Sequence, residues 1–295
     1  GSLIINGGTL DASLAATITN PITFGADLTF TGTANLTQNS GAITLGASRT
    51  LTVSANTLTL NGAVSGDGLS LTKAGAGTLV LGGVLGTTTG GVTVNAGKLT
   101  LSGVNTYAGA TTLTAGTLSA GSATYAFGGS GGTPGTLALN GGTLDASVAA
   151  TITNPITFGA DLTFTGTANL TQNTGAITLG ASRTITVSGG VLSLGGDITG
   201  AGFNVTKAGA GALTLGGVLG VTTGTVTVSA GKLTLAGVNT YTGATNITGG
   251  TLALSGSGSL ADTNAVTLTA SGSSFDIPAI TGSEKIGSLA GVAGS

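Results

Sequence analysis

Apolar and polar residues alternate along most of this chain, in short segments that end at glycine, asparagine, serine or aspartate. Alternation with a period of two places Leu, Val and Ile on one face of a strand and Thr and Ser on the other. The punctuating residues supply the turns that short strands need. We therefore expect strands of three to five residues and essentially no long helix. In the first part of the chain these strands are predicted at 17–19, 28–30, 43–45, 51–53, 57–60, 69–71, 78–81, 92–94 and 98–101.

A longer pattern lies above the strands, since residues 7–54 return at 141–188 with three changes, an offset of 134 residues. Self-similarity at a fixed offset is typical of repeat architectures. We divide the chain into a first long repeat at 1–140, a second at 141–274, and the start of a further, divergent portion at 275–295. Together they are expected to form one continuous solenoid.

Three architectures use many short strands: a sandwich, a closed barrel and a solenoid. The predicted strands are shorter than sandwich strands, and a membrane barrel needs segments of about ten residues with aromatic girdles, whereas aromatic residues make up 3% of this chain. A parallel β-helix fits because it stacks coils of three short strands at a spacing of about 4.8 Å. At roughly 20 to 24 residues per coil, the chain forms about thirteen coils. Inward residues such as Leu99 and Leu101 should then stack in ladders.

Composition narrows the possible chemistry. The 295 residues include 57 glycines, 5% charged residues and no histidine, cysteine, methionine or tryptophan. The chain therefore lacks the commonest general base, the thiolate nucleophile and nearly all zinc, copper and haem ligand sets. We expect neither an enzyme nor a cofactor or metal site. The net charge of −2 and the lack of a basic run also argue against a nucleic-acid partner.

The sequence offers little for membrane insertion or export. No stretch approaches the roughly 18 consecutive apolar residues of a transmembrane helix, and the first residues lack the features of a signal peptide. The lack of methionine even at position 1 suggests a fragment of a longer protein. At 40% apolar residues, the chain can bury a core and is expected to fold.

The nine carboxylates are scattered, whereas a carbohydrate-cleaving β-helix would need them clustered. Asp27 and Asp161 precede Leu-Thr-Phe strands and are interpreted as turn or capping residues. Asp11 and Asp145 could orient a turn in the same way. Asp67 and Asp197 occupy places that are not equivalent in the two repeats, and a catalytic carboxylate should not move between copies. No catalytic, cofactor or metal residue is assigned, and a residue that binds a ligand remains unknown.

Two further features have structural interpretations. Asn105 and Asn239 are expected to bond backbone groups at a coil corner. Tyr107 and Tyr241 either pack beside them or form exposed contact groups, and we favour packing. The glycine-rich turn that contains Gly75 lacks the Gly-Lys-Ser/Thr end of a phosphate loop.

Threonine is frequent enough to raise the possibility of an ice-binding array. Thr-x-Thr triplets occur at 17–19, 29–31, 57–59 and 112–114. A lattice-matching face needs a triplet at one place in each successive coil, but these fall at irregular intervals. Solvent-facing threonine on ordinary strands is therefore the favoured interpretation.

Residues 73–81 (KAGAGTLVL) and 97–118 (GKLTLSGVNTYAGATTLTAGTL) resemble the autotransporter-associated β-strand repeat, and the resemblance recurs at 207–215 and 231–252. The matching anchors are Gly75, Gly77, Leu79, Asn105, Tyr107, Gly109, Gly116, Thr117 and Leu118. The resemblance implies a right-handed parallel β-helix in the passenger region of a Gram-negative surface protein, either extracellular or at the cell surface. It implies no particular ligand.

Low charge is also a functional clue, because a nearly uncharged surface has little repulsion to keep copies apart. Solenoid ends expose backbone donors and acceptors unless caps cover them. The leading hypothesis is a non-enzymatic stalk, adhesin segment or fibre-forming passenger that binds itself, end to end or laterally, or binds a host or neighbouring cell. The alternative is a β-helix protein that acts on polysaccharide or binds glycans.

Overall fold

Each strand pairing in the described structure is parallel and joins strands from successive coils. The computed structural model describes the backbone of residues 1–295 and the side chains of residues 1–277 and 280–295. It contains two compact units, Gly1–Asn154 (unit 1) and Pro155–Ser295 (unit 2). The assignment of the long repeats and their continuity as one solenoid stay predictions.

Unit 1 consists of short strands and turns. Its strands are β1 (Leu3–Ile5), β2 (Thr9–Leu10), β3 (Ala16–Ile18), β4 (Ile22–Phe24), β5 (Leu28–Phe30), β6 (Leu36–Gln38), β7 (Ile43–Leu45), β8 (Arg49–Val53), β9 (Thr57–Leu60), β10 (Val64–Ser65), β11 (Leu71–Ala74), β12 (Thr78–Leu81), β13 (Leu85–Gly86), β14 (Val92–Val94), β15 (Lys98–Leu101), β16 (Thr111–Leu113), β17 (Thr117–Ala120), β18 (Leu137–Leu139), β19 (Thr143–Ala146) and β20 (Ala150–Ile152).

Unit 2 has the same character. Its strands are β21 (Ile156–Phe158), β22 (Leu162–Phe164), β23 (Leu170–Gln172), β24 (Ile177–Leu179), β25 (Arg183–Val187), β26 (Val191–Leu194), β27 (Ile198–Thr199), β28 (Val205–Ala208), β29 (Ala212–Leu215), β30 (Leu219–Gly220), β31 (Val226–Val228), β32 (Lys232–Leu235), β33 (Thr245–Ile247), β34 (Thr251–Gly256), β35 (Ala265–Leu268), β36 (Ser274–Ile280) and β37 (Ser288–Gly291).

Three sheets form the sides of each unit. In unit 1 their orders are β1-β4-β7-β10-β13, β2-β5-β8-β11-β14-β16-β18 and β3-β6-β9-β12-β15-β17-β19. In unit 2 they are β21-β24-β27-β30, β22-β25-β28-β31-β33-β35-β37 and β23-β26-β29-β32-β34-β36. The protein is thus an all-β parallel β-solenoid of about 14 turns, with no helix among the described residues. The prediction of a parallel β-helix is confirmed, and the expected number of coils, about thirteen, is close.

Apolar ladders form the core. Leu99 pairs with Leu79 below and Leu118 above, and all three side chains are fully buried. Leu101 is buried in the neighbouring column, as the alternation predicted. Full burial of a leucine side chain contributes about 1.5–3 kcal/mol, so a column of such residues replaces the single core of a globular domain.

One predicted strand is misplaced. The segment 69–71 was expected to form a strand, but the strand is β11, which starts at Leu71 and ends at Ala74. Leu69 belongs to the preceding turn, where its N–H donates to Gly66 O at 3.0 Å. The alternation continues forward instead, through Thr72 to Lys73.

Candidate functional site

The Asn-x-Tyr centre of the predicted repeat is a buried link between coils. Asn105 Oδ1 accepts a hydrogen bond from Leu85 N at 2.7 Å, and its Nδ2 donates to Ala126 O at 2.7 Å. The side chain thus joins backbone groups on both sides of its own coil. An amide with both ends satisfied can replace a strand at this corner, because it provides one donor and one acceptor as the peptide group does. The predicted corner role of Asn105 is confirmed.

Tyr107 lies inside the coil. It is fully buried, and its hydroxyl lies 2.6 Å from Thr111 Oγ1. Burial raises the pKa of Tyr107 far above its ordinary value, so the hydroxyl stays protonated. The packing interpretation is confirmed, and Tyr107 is not an exposed contact group.

Unit 2 repeats this arrangement and extends it. Asn239 Oδ1 accepts from Leu219 N at 2.9 Å, and the buried Tyr241 hydroxyl lies 2.8 Å from Thr245 Oγ1. Thr245 Oγ1 in turn donates to Asn264 Oδ1 at 2.7 Å. Burial raises the pKa of Tyr241 as well. These polar side chains form internal networks that hold successive coils in register.

Two lysines are also internal, and sequence reasoning did not identify them. Lys73 is fully buried, and its Nζ donates to Ala74 O at 2.7 Å, Gly75 O at 2.7 Å and Ala96 O at 3.2 Å. Lys207 makes the equivalent contacts in unit 2, at 2.8, 2.7 and 3.1 Å. Burial lowers the pKa of each ammonium group to about 8. The signal was present in the alternation, which places Lys73 on the same strand face as Leu71.

The glycine-rich turn after Lys73 has a structural role. Gly75 has a φ of +78°, and an added Cβ would lie 2.4 Å from Val53 O of the preceding coil. Its carbonyl accepts from Lys73 Nζ. The turn thus closes around the buried ammonium, in agreement with the interpretation as turn chemistry.

The carboxylates of the Gly-Ala-Asp turns bind backbone of the following coil. Asp27 Oδ1 accepts from Thr50 N at 2.9 Å, and Asp161 Oδ1 accepts from Thr184 N at 3.0 Å. The predicted turn and capping role is confirmed for both. Asp197 acts similarly, since its Oδ1 accepts from Val218 N at 2.8 Å.

Asp11 and Asp145 have identical sequence surroundings but different environments. Asp11 is exposed and accepts from Thr33 N at 2.8 Å and Thr33 Oγ1 at 2.6 Å, bonds that lower the pKa of Asp11 to about 2. The turn interpretation of Asp145 was wrong, because it lies within β19 and is only 3% exposed. It accepts from Ser119 Oγ at 3.2 Å and pairs with Lys98 Nζ at 3.3 Å. The coil beneath Asp145 supplies both partners.

Threonine side chains form columns on the outer faces. In unit 1, Thr50, Thr72, Thr93 and Thr112 are paired in successive coils. Complete Thr-x-Thr triplets do not repeat in this way, since the pair at 57 and 59 is followed by Thr78 and Val80. The result agrees with the expectation that triplets do not recur coil by coil.

Two open cavities lie at strand edges, one in each unit. The cavity in unit 1, about 380 Å³, is lined by Leu3, Leu10, Asp11, Ala12, Ser13, Leu14, Ala16, Ile18 and Leu36. The cavity in unit 2, about 550 Å³, is lined by Leu268, Ser274, Phe275, Leu289, Ala290, Gly291, Val292 and Ser295. Both linings are mainly apolar. Among the described residues, no group of three His, Cys, Asp or Glu side chains could hold a metal ion. The described part of the chain also has no helix long and apolar enough to cross a membrane.

Comparison with protein families gives four matches to the passenger-associated-transport-repeat, at residues 71–99, 95–120, 205–234 and 229–254. They include both buried lysines and both Asn-x-Tyr centres. Neither the curated proteins nor the solved structures give a match. The resemblance to an autotransporter passenger repeat is confirmed. The repeats and the solenoid fold together indicate an autotransporter passenger region and suggest a surface or secreted location.

Proposed function

We propose that this chain is a non-enzymatic structural segment of a Gram-negative passenger, a stalk or fibre-forming region that associates with copies of itself. The observation that carries the proposal is the use of its polar groups. The hydrogen-bonded carboxylates, asparagines and lysines described above bind backbone or side chains of their own or adjacent coils, and thereby stabilise the stack.

The outer surface supports self-association. Its columns carry neutral threonine, and the whole chain has a net charge of −2. A surface with so little charge opposes contact between copies only weakly. Apolar cavities beside unpaired strand edges add a second kind of contact surface, since exposed edges favour pairing with another chain.

The same observations favour this role over an action on polysaccharide. Hydrolysis of a glycosidic bond commonly needs two carboxylates about 5–10 Å apart, facing the substrate. Asp27 and Asp161 instead bond the backbone of the next coil, and Asp145 is buried under Lys98. The large tyrosines of both Asn-x-Tyr centres are buried and offer no platform for a sugar ring.

Electron microscopy of the purified chain over a range of protein concentrations tests the proposal. Filaments or bundles that grow with concentration, with a rise near 4.8 Å between coils, are expected. Isolated particles at every concentration would contradict self-association. A glycan array run on the same material separates the alternative, because specific glycan binding by isolated particles would support a carbohydrate-binding module instead.

A further inference from the structure

Unit 1 contains two nearly identical coils. The first consists of β1, β2 and β3, and the other of β18, β19 and β20. Residues 3–6 (LIIN) correspond to 137–140 (LALN), and residues 7–18 match 141–152 except for Leu14, which is replaced by Val148. Their different surroundings therefore compare one sequence with and without a coil beneath it.

The later coil rests on the strands before it. β18 pairs with β16, and β19 pairs with β17 through four residue pairs, Thr117 with Thr143 to Ala120 with Ala146. A bridge between Thr124 and Thr151 continues the contact. Three N–H groups of the later coil donate downwards: Thr143 to Gly116 O at 2.8 Å, Ser147 to Ala120 O at 2.9 Å, and Thr151 to Ala123 O at 2.8 Å.

The first coil presents the same groups without such a neighbour in the described structure. There β2 is paired with β5 alone and β3 with β6 alone. Leu144 and Ile152 are each 1% exposed, whereas the equivalent Leu10 and Ile18 are half-buried and line the unit 1 cavity. Ala150 is 5% exposed, but the equivalent Ala16 is exposed. Leu14 is 78% exposed against 41% for Val148.

We propose that the open face of the first coil is a docking surface for one kind of partner, a β-coil with the sequence found at 110–136 of this chain. This segment already covers the identical face of the later coil. It supplies backbone carbonyls at Gly116, Ala120 and Ala123 and the apolar residues Leu113 and Leu118 of the interior ladders. The inference rests on the internal repeat and does not depend on the proposed function.

The docking coil can be supplied within one chain. Residues 90–136 are placed directly before Leu3 in place of Gly1 and Ser2, so that the prefix brings β14, β15, β16 and β17. The amide exchange of Thr9, Ser13 and Thr17, the equivalents of Thr143, Ser147 and Thr151, is then measured by hydrogen–deuterium exchange. We expect it to slow at least tenfold, because these N–H groups gain carbonyl partners.

A matched prefix carries Leu113→Asp and Leu118→Asp in the added segment only. It has the same length but cannot bury its apolar ladder, so Thr9, Ser13 and Thr17 should exchange as in the unextended chain. The amides of Thr143, Ser147 and Thr151 serve as internal references that stay slow in all three proteins. Unchanged exchange of the first-coil amides with the intact prefix, whether or not the prefix itself folds, would overturn the proposal.

Discussion

Lys73 places an ammonium group against three backbone carbonyls inside the solenoid, and Lys207 does the same. Their folded pKa is about 8, whereas the unfolded value is 10.5. Between these values the unfolded chain binds more protons than the folded chain, so stability rises with pH. The cost of burying the charge is greatest below pH 8 and is relieved as each lysine loses its proton.

We therefore predict that the free energy of unfolding increases from pH 8 to 9.5 by about 1 kcal/mol per lysine. Urea unfolding at several pH values measures it. The range ends at pH 9.5 because tyrosines of the unfolded chain ionise near pH 10, which lowers stability there. The double variant Lys73→Met and Lys207→Met should lose the increase, while Lys232→Met, at an exposed site, should keep it. An equal slope in all three chains would refute the assignment.

The Tyr107 hydroxyl offers a second residue-scale test. Tyr107→Phe leaves the buried Thr111 hydroxyl without its 2.6 Å partner, which should cost about 1–2 kcal/mol of unfolding free energy. Thr111→Val should cost a similar amount. Because the double variant removes both polar groups together, its loss should be smaller than the sum of the single losses. Additive losses in urea unfolding would show that the two hydroxyls do not interact.

At the scale of the element, glycine columns allow the corners of successive coils to approach. Gly97 lies between Gly77 and Gly116 in unit 1. A Cβ on Gly97 would lie 2.3 Å from Gly77 O, and its φ is +64°. Both features exclude a side chain, the first through contact with the neighbouring coil and the second through local backbone strain.

We predict that Gly97→Ala destabilises unit 1 by about 3 kcal/mol or more, measured by thermal or urea unfolding. Gly131→Ala is the matched control, since Gly131 also has a positive φ, +80°, but no atom within 4 Å of an added Cβ. It should show the backbone strain alone, about 1–2 kcal/mol. Equal losses for both variants would mean that close stacking of coil corners contributes little.

Period-two alternation made most elements predictable. The strands at 28–30, 43–45, 57–60, 78–81, 92–94 and 98–101 have the predicted bounds. Short strands such as β10 and β13, with two residues each, are too brief for the pattern to register. The alternation also placed Lys73 and Gln38 on inward faces, yet their polarity concealed this, because a buried polar side chain depends on carbonyls from other coils.

Asp11 and Asp145 show what local sequence cannot predict. Both lie in the same Gly-Gly-Thr-Leu-Asp-Ala-Ser segment, but Asp145 is buried because Ser119 and Lys98 lie beneath it. In a solenoid the environment of a residue depends on the coil about 20 residues earlier. Asn105 was predictable because its partners occupy a regular corner, whereas the burial of Asp145 required the pairing of β17 with β19.

At the scale of the whole molecule, scarcity of charge should govern association between copies. The Thr50, Thr72, Thr93 and Thr112 column lies on an outer face of unit 1 and is only partly buried. Substitutions there should change folding stability by no more than about 0.5 kcal/mol each. The face is therefore a place where charge can be added without disturbing the coils.

We predict that Thr72→Glu combined with Thr112→Glu, which takes the net charge from −2 to −4, weakens self-association at low salt. Repulsion between like charges is screened within about 10 Å at 0.1 M salt and about 3 Å at 1 M, so high salt should restore association. Light scattering against salt concentration measures the effect. Thr72→Gln with Thr112→Gln has similar size without charge and should behave as the parent. If the glutamate and glutamine variants associate equally at low salt, lateral contact through this face is excluded and association must use other surfaces, such as the open strand edges.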